Sequence, residues 1–406
     1  MANDWLDTTE AARRLGVKPP TLYAYVSRGQ LRRRTAADGR RSEYHPGDVA
    51  SLAVRGRRAR PAKPSDVIVP TALTAITPEG PVYRGRRALD LAGTSRFETV
   101  AAHLWDVEDV ARWQAPDEVL AAVRPLARPA GAALDASQVL LAATAAARAA
   151  DPLGRAPGPA GSQPRREVVA ATGRALLIAA VTGFDGAPEG SPLAAAPLAE
   201  RLATFLTDGD ATPGATGLVD AALVLLADHE LAASTLAARV AASARCDPYA
   251  VVLAGLAVLS GPRHGAASRG VEQALFAVRD GRTPAAALAD VLPGAPVAFG
   301  FGHSLYPDGD PRGRHLFALL DAHVPAARVA PLRAILATAA DRGLPPPNID
   351  AALAGLTLAL EAPVGTGELL FAVARIAGWL AHALEQYDEP GLLRPKAVYT
   401  GPPPPA

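Results

Sequence analysis

Cysteine is almost absent from this 406-residue chain, and the single one, Cys246, has no partner for an internal disulfide. The N-terminus opens with the polar stretch MANDWLDTTE rather than a charged-then-apolar leader. Together these features point to a reducing cytoplasm. No uninterrupted apolar run reaches the ~18 residues that would suggest a membrane span. CxxC, HExxH, the phosphate-cradling GxxxxGK[ST] loop and the GxGxxG fingerprint are all missing. Metal, nucleotide-triphosphate and dinucleotide chemistry therefore lack their usual sequence supports. What is present is apolar bulk: 49% of residues are hydrophobic, enough for a sizeable core.

A net charge of +1 hides an asymmetry. Residues 1–63 carry 14 Lys and Arg against 6 Asp and Glu, whereas the remainder carries 27 against 34. This pattern suggests a basic module joined to an acidic body. DWLDTTEAARRLGVKPPTLYAYVSRGQLRRR reads as helix, turn, helix. Thr8 or Thr9 can cap the first helix, and Ala11, Ala12 and Leu15 give it an apolar face ending at Gly16. Pro19 and Pro20 suit the start of the second helix, where Leu22, Tyr25 and Val26 recur at helical spacing. Asp38-Gly39 between arginine-rich arms signals a hairpin, and HPGDVASLAVR a further helix. Residues 1–56 resemble the winged helix-turn-helix of the MerR and excisionase families. That resemblance implies DNA as a partner, with the helix from about Pro19 to Arg28 in the major groove and the Arg32–Arg41 hairpin on phosphates. The competing reading is a small helical cap with solvated arginines. RRARPAKPSD makes residues 57–67 an extended, proline-rich linker.

From residue 68 the chain reads as a strand pair around Pro78-Glu79-Gly80 followed by helices. The expected helices span 137–150, 166–182, 217–228, 232–244, 248–259, 266–278, 313–323, 329–342 and 366–387. Asp151–Pro164 reads as a Pro/Gly-rich loop. Polar residues isolated in turns between these apolar helices mark the candidate site. GPRHG holds His264, GFGHSLYPDGDPR holds His303 and Arg312, and PNID holds Asp350. Two histidines and a carboxylate suffice for carbon-acid chemistry. The carboxylate removes a proton from carbon, one neutral imidazole bonds the enolate, and the other polarises a carbonyl. The competing readings are a packed turn histidine for His264 and a helix N-cap for Asp350. Arg375 interrupts LLFAVARIAGWLAHAL. Burying a guanidinium there is costly unless an anion meets it.

These blocks, with YRGRRALDLAGTSRFETVAAHLW (83–105), HELAASTLAARVAAS (229–243), ARIAGWLAHALEQY (374–387) and LLRPKAVYTG, resemble the citrate synthase family over roughly residues 68–406. The likeness is weak between about 107 and 215. It implies an all-α body of two domains, a large one over about 68–265 and 362–406 and a small one over about 266–361. It also implies condensation of acetyl-CoA with oxaloacetate in the tricarboxylic acid cycle. Asp350 is then the base, His264 the enolate-stabilising histidine supported by Ser234, and His303 the keto-polarising histidine. His229, Arg312, Arg375 and Arg394 bind the carboxylates, with Arg394 reaching the partner subunit's site in a homodimer. Coenzyme A enters as a thioester substrate, with no permanently bound cofactor and no metal. For Arg312 and Arg394 the competing reading is surface salt bridging.

The chain departs from the family at Ser304–Asp308, where a cation for coenzyme A phosphates is usual, leaving Arg263 or Arg342 as substitutes. Ala232, Arg263 and Ser268 also stand where the family has other residues. Two rivals follow: a 2-methylcitrate synthase using propionyl-CoA, or a metabolite-sensing DNA-binding regulator on the same fold.

Overall fold

A computed structural model describes residues 5–15, 17, 19–27, 29–36, 41–49, 68–110, 112–127, 135–151, 166–261, 264, 267–291 and 300–395. The chain divides into two compact units, 1–69 and 70–406.

In the first unit the helices Thr8–Leu15 and Pro19–Ser27 stand where the apolar spacing puts them. Ala11, Ala12, Leu22, Leu31, Tyr44 and Val49 form their shared core. The cap differs from expectation. Asp7, rather than Thr8 or Thr9, accepts from Glu10 N at 2.8 Å, and Thr8 Oγ1 instead donates to Ser42 O. A carboxylate at this end also meets the positive pole of the helix. Arg33–Thr35 and Ser42–Tyr44 pair antiparallel as the arms of the expected hairpin. Its Asp38-Gly39 turn, Gly16, Arg28 and the 57–67 linker lie outside the described residues. Leu6–Asp7 adds a third strand on the other side of Ser42–Tyr44. The further helix is described only over residues 46–49.

In the second unit, Thr74–Thr77 and Gly80–Tyr83 form the expected strand pair, extended by Arg86–Arg87. Among the described residues the remaining regular elements are helices, as expected, and they surround the helix Thr366–Asp388. A helix apolar on every face must be buried on every face, and nearly all of its side chains are. Phe97–Trp105, Arg166–Asp185, Pro213–Leu226, Ala233–Ser243 and Pro248–Leu259 pack around it. Arg166–Asp185 and Thr366–Asp388 are long and apolar enough to cross a membrane by composition, but 78% and 100% of their apolar windows are buried inside the protein. Ala267–Arg279, Pro284–Val291, Pro311–His323, Ala330–Asp341 and Ile349–Ala359 pack chiefly on one another. Phe97–Trp105, Asp117–Val123, Leu198–Leu206 and Pro284–Val291 were not among the expected helices. They span only seven to nine residues, too short for a full apolar period to stand out.

Glu272 joins these layers. Its buried carboxylate accepts from Thr357 Oγ1 and from Gly365 N and Gly367 N at the start of the long helix. Gly255 lets its helix approach the long helix closely, since a Cβ there would lie 2.6 Å from the Trp379 ring. Gly255→Ala should therefore destabilise the fold. A helix-propensity gain of up to ~1 kcal/mol is outweighed by overpacking of about 1–3 kcal/mol. Thermal melts of the variant check this, and a melting temperature raised above wild type would contradict the packing.

Candidate active site

His229 is set by the C-terminal end of Pro213–Leu226. The Tyr83 hydroxyl lies 3.2 Å from Val224 O, 3.2 Å from Leu225 O and 3.0 Å from Asp228 O, and thus covers carbonyls that a helix end leaves without partners. Burial is the first cause holding the His229 imidazole well below its ordinary pKa, followed by the charges of Arg312 and Arg375.

Ser234 opens the next helix, and its Oγ lies 2.8 Å from His264 Nε2. Trp379 Nε1 donates to the same oxygen at 3.3 Å, and with that lone pair used the hydroxyl can serve His264 as the donor. Neutral His264 then carries its own proton on Nδ1, an assignment made from this bonding pattern. Its pKa is lowered to about 4 by burial and then by Arg375. The ring sits in a turn before Ala267–Arg279.

Two distant loops are stitched together, joining the turn that carries His303 to the start of the helix that carries Asp350. Asn348 N donates to Gly300 O, Gly302 N to Pro346 O, and Asn348 Nδ2 to Gly302 O, at 2.7–2.9 Å. Gly300 and Gly302 have φ of 81° and 75°, which side-chain-bearing residues rarely adopt. Leu305 N donates to His303 Nδ1 at 3.1 Å, which leaves the proton of the neutral ring on Nε2. Burial and Arg312 lower this histidine to about 4.

Asn348 also resolves the choice left open for Asp350. The Asn348 side chain caps Ile349–Ala359 by accepting from Asp350 N at 2.9 Å and Ala351 N at 3.4 Å. Asp350 is therefore not the cap. Its half-buried carboxylate has no hydrogen-bond donor among the described residues. Burial raises it to about 7, with Arg312 and Arg375 pulling the other way. A base poised near neutrality is what proton abstraction from carbon requires.

Arg312 is buried rather than bridged at the surface. Asp310 caps Pro311–His323 and holds the guanidinium at 3.1 and 2.8 Å, while also accepting from Ile349 N. Arg375 is more exceptional. Its Nε donates to Leu226 O at 2.9 Å and its guanidinium stacks on Phe371 at 4.6 Å, yet Nη1 and Nη2 are buried with no hydrogen-bond partner among the described residues. Burial lowers it to about 10, with Asp228 the first charge to oppose that shift. Its charge also bears on His264, His229, Arg312 and Asp350, so it is the common neighbour of the cluster. Two unmet donors of a planar cation in a dry interior suit a carboxylate.

Arg394 is exposed beyond the end of the long helix. Arg342 is exposed and donates to Ala285 O, whereas Arg263 lies outside the described residues. Three contributors were not foreseen: Asp228, Asp310 and Tyr306. Each stands next to or within a motif already singled out, in ADHEL, GDPR and GFGHSLYP. Asp228 accepts from Thr74 Oγ1 at 2.6 Å and faces His382 Nε2 at 3.3 Å. Arg239 continues that buried chain from His382 to Glu385. A surface cavity of about 560 Å³ lined by residues such as Asp208, His323, Arg328 and Glu361 contains none of the site residues. Among the described residues, no group of three or more His, Cys, Asp or Glu is placed to hold a metal ion.

Comparison with known proteins places this geometry in context. The helix-turn-helix domain model matches residues 5–45. Citrate synthase 2 of Bacillus subtilis is 34% identical over 210 residues, 50% of this chain and 56% of that protein. Citrate synthase of Haloferax volcanii is 38% identical over 191 residues, 45% and 49% of the two chains. 2-Methylcitrate synthase 2 of Corynebacterium glutamicum is 36% identical over 186 residues, 44% and 48%. The chain thus spans about half the length of the curated relatives it matches. Among solved structures, the fold is similar to the Thermoplasma acidophilum citrate synthase in ternary complex with carboxymethyl coenzyme A and oxaloacetate. That similarity has a TM-score of 0.66 and 24% identity, covering 84% of this chain and 96% of that one. It is also similar to the Pyrobaculum aerophilum citrate synthase, with a TM-score of 0.63 and 26% identity over 83% and 91%. The family model described as citrate synthase, C-terminal domain, matches residues 66–396, and the chain belongs to the citrate synthase family.

Proposed function

We propose that this protein condenses an acyl-CoA, most simply acetyl-CoA, with oxaloacetate to give citrate and coenzyme A. The observation that carries the reading is Asp350, a carboxylate released from capping by Asn348 and raised to about 7 among neutral histidines. In this reading Asp350 removes a proton from the acyl α-carbon while His264 Nδ1–H bonds the thioester oxygen of the forming enolate. The enolate carbon attacks the keto carbon of oxaloacetate, polarised by His303 Nε2–H. Water then cleaves the thioester and coenzyme A leaves. Arg312, Arg375 and His229 hold the carboxylates, with Arg394 supplied across a homodimer interface. Residues 266–361 act as a small domain that closes on the larger one and excludes water. The reaction belongs to the cytoplasm, with the thioester as substrate and no resident cofactor.

Relatives include both citrate and 2-methylcitrate synthases, and one methylene in a pocket is worth only about 1–3 kcal/mol. Coenzyme A release from oxaloacetate with acetyl-CoA, beside propionyl-CoA, tests the reaction and ranks the donors. A faster propionyl-CoA rate would make the protein a 2-methylcitrate synthase. No release with either would overturn the catalytic reading.

A second reading has its own support in the helix-turn-helix match and in Ser304–Asp308, which has no cation. The protein then binds DNA through its first unit and senses a dicarboxylate through the second. A gel shift that oxaloacetate leaves unchanged would count against that link.

A further inference from the structure

Three histidines of the cluster share one arrangement. Among the described residues, each has one ring nitrogen engaged by a protein group, while the other has no partner except at His303, whose Nε2 lies 3.5 Å from Arg312 Nη2. Ser234 Oγ engages His264 Nε2, and Leu305 N engages His303 Nδ1. The Tyr306 hydroxyl engages His229 Nε2 at 3.2 Å. Tyr306 is 4% exposed, and its ring packs 5.0 Å from His303 and 5.6 Å from His229, with the Arg312 guanidinium 5.9 Å away. The loop carrying it is held by Tyr306 N to His303 O and Gly309 N to Tyr306 O.

A phenol is a better donor than acceptor, because its oxygen lone pair is drawn into the ring. This one keeps its proton, raised to about 12 by burial. His229 is neutral and carries one proton for two nitrogens. We propose that Tyr306 is a positioning residue that donates to His229 Nε2 and thereby keeps the His229 proton on Nδ1, aimed as a donor at a carboxylate of the substrate. The substrate clause rests on the condensation reading, whereas the tautomer clause is independent of it. This role gives the 303–306 loop control of two histidines, His303 through Leu305 and His229 through Tyr306.

Tyr306→Phe in the full chain tests this with almost no change of shape. Nitrogen NMR of histidine-labelled protein, with His229→Ala used to assign the signal, should show the Nδ1–H form in the wild type. In the phenylalanine variant the Nε2–H form should gain population. The KM for oxaloacetate should rise about 5–30-fold, the worth of one hydrogen bond at a buried partner, with kcat changed less. A merely structural role would lower the melting temperature and leave the tautomer alone. A wild-type His229 protonated on Nε2 would overturn the proposal, as would an unchanged KM in the Tyr306→Phe variant when the wild type turns over. If the wild type neither binds oxaloacetate nor releases coenzyme A, the condensation reading fails, and the nitrogen spectrum still decides the role of Tyr306.

Discussion

Asp350→Asn is expected to lower turnover by about 10²–10⁴-fold, the usual contribution of a positioned general base. Oxaloacetate binding should survive, because the carboxylates of that substrate are held by other residues. The amide retains the shape of the side chain and leaves the Asn348 cap untouched, so the fold should be preserved. The wild-type pH profile carries the same information. Asp350 must be deprotonated to act, and its carboxyl is raised to about 7. The value of kcat/KM for the thioester should therefore climb with pH up to about 7 and level off above it. His264 and His303 titrate at about 4, so they stay neutral through that window and add no further limb. Stopped assays of coenzyme A release between about pH 5.5 and 8 check both statements. A flat profile, or an active asparagine variant, would remove Asp350 from the chemistry.

Arg375→Leu should separate affinity from stability. Truncating one partner of a buried charge pair typically costs about 2–5 kcal/mol of binding, or roughly 30- to several-thousand-fold in oxaloacetate affinity. The ligand-free protein should tolerate the change far better. Nη1 and Nη2 have no partners to lose, and removing an unpaired guanidinium relieves its desolvation. The losses are the Nε bond to Leu226 O, worth about 1 kcal/mol, and the stacking on Phe371, worth about 0.5–2 kcal/mol. Titration calorimetry with oxaloacetate beside ligand-free melting curves makes the comparison. Wild-type affinity in the variant would show that the two bare amino groups do not meet the substrate.

The residues that announce the site in the sequence are those whose local requirements are unusual. Gly300 and Gly302 need left-handed backbone, and Arg375 interrupts an apolar helix. Such anomalies are visible without a fold. The strand pair around Pro78-Glu79-Gly80 and most long helices are legible for the related reason that turn chemistry and periodicity are local. The division of labour between neighbours is not local. Whether Asn348 or Asp350 caps the helix depends on the loop at Gly300–Gly302, distant in sequence, which fixes Asn348 through its own amide. Asp310 resembles any acid in a turn until Arg312 is buried against it. Tyr306 acquires its partner only when the end of Pro213–Leu226 is brought alongside. The neutrality of His264 was legible, but its causes, burial first and then Arg375 from another helix, depend on packing that is not local.

The separateness of the two hydrophobic clusters has a genealogical consequence. Among the described residues, one is built from residues between Leu6 and Val49 and the other from residues between Leu73 and Tyr387. A gene fusion could therefore add or discard the basic module without requiring compensating substitutions in the larger core. The two halves can have different ancestries, and each can accumulate core mutations on its own clock.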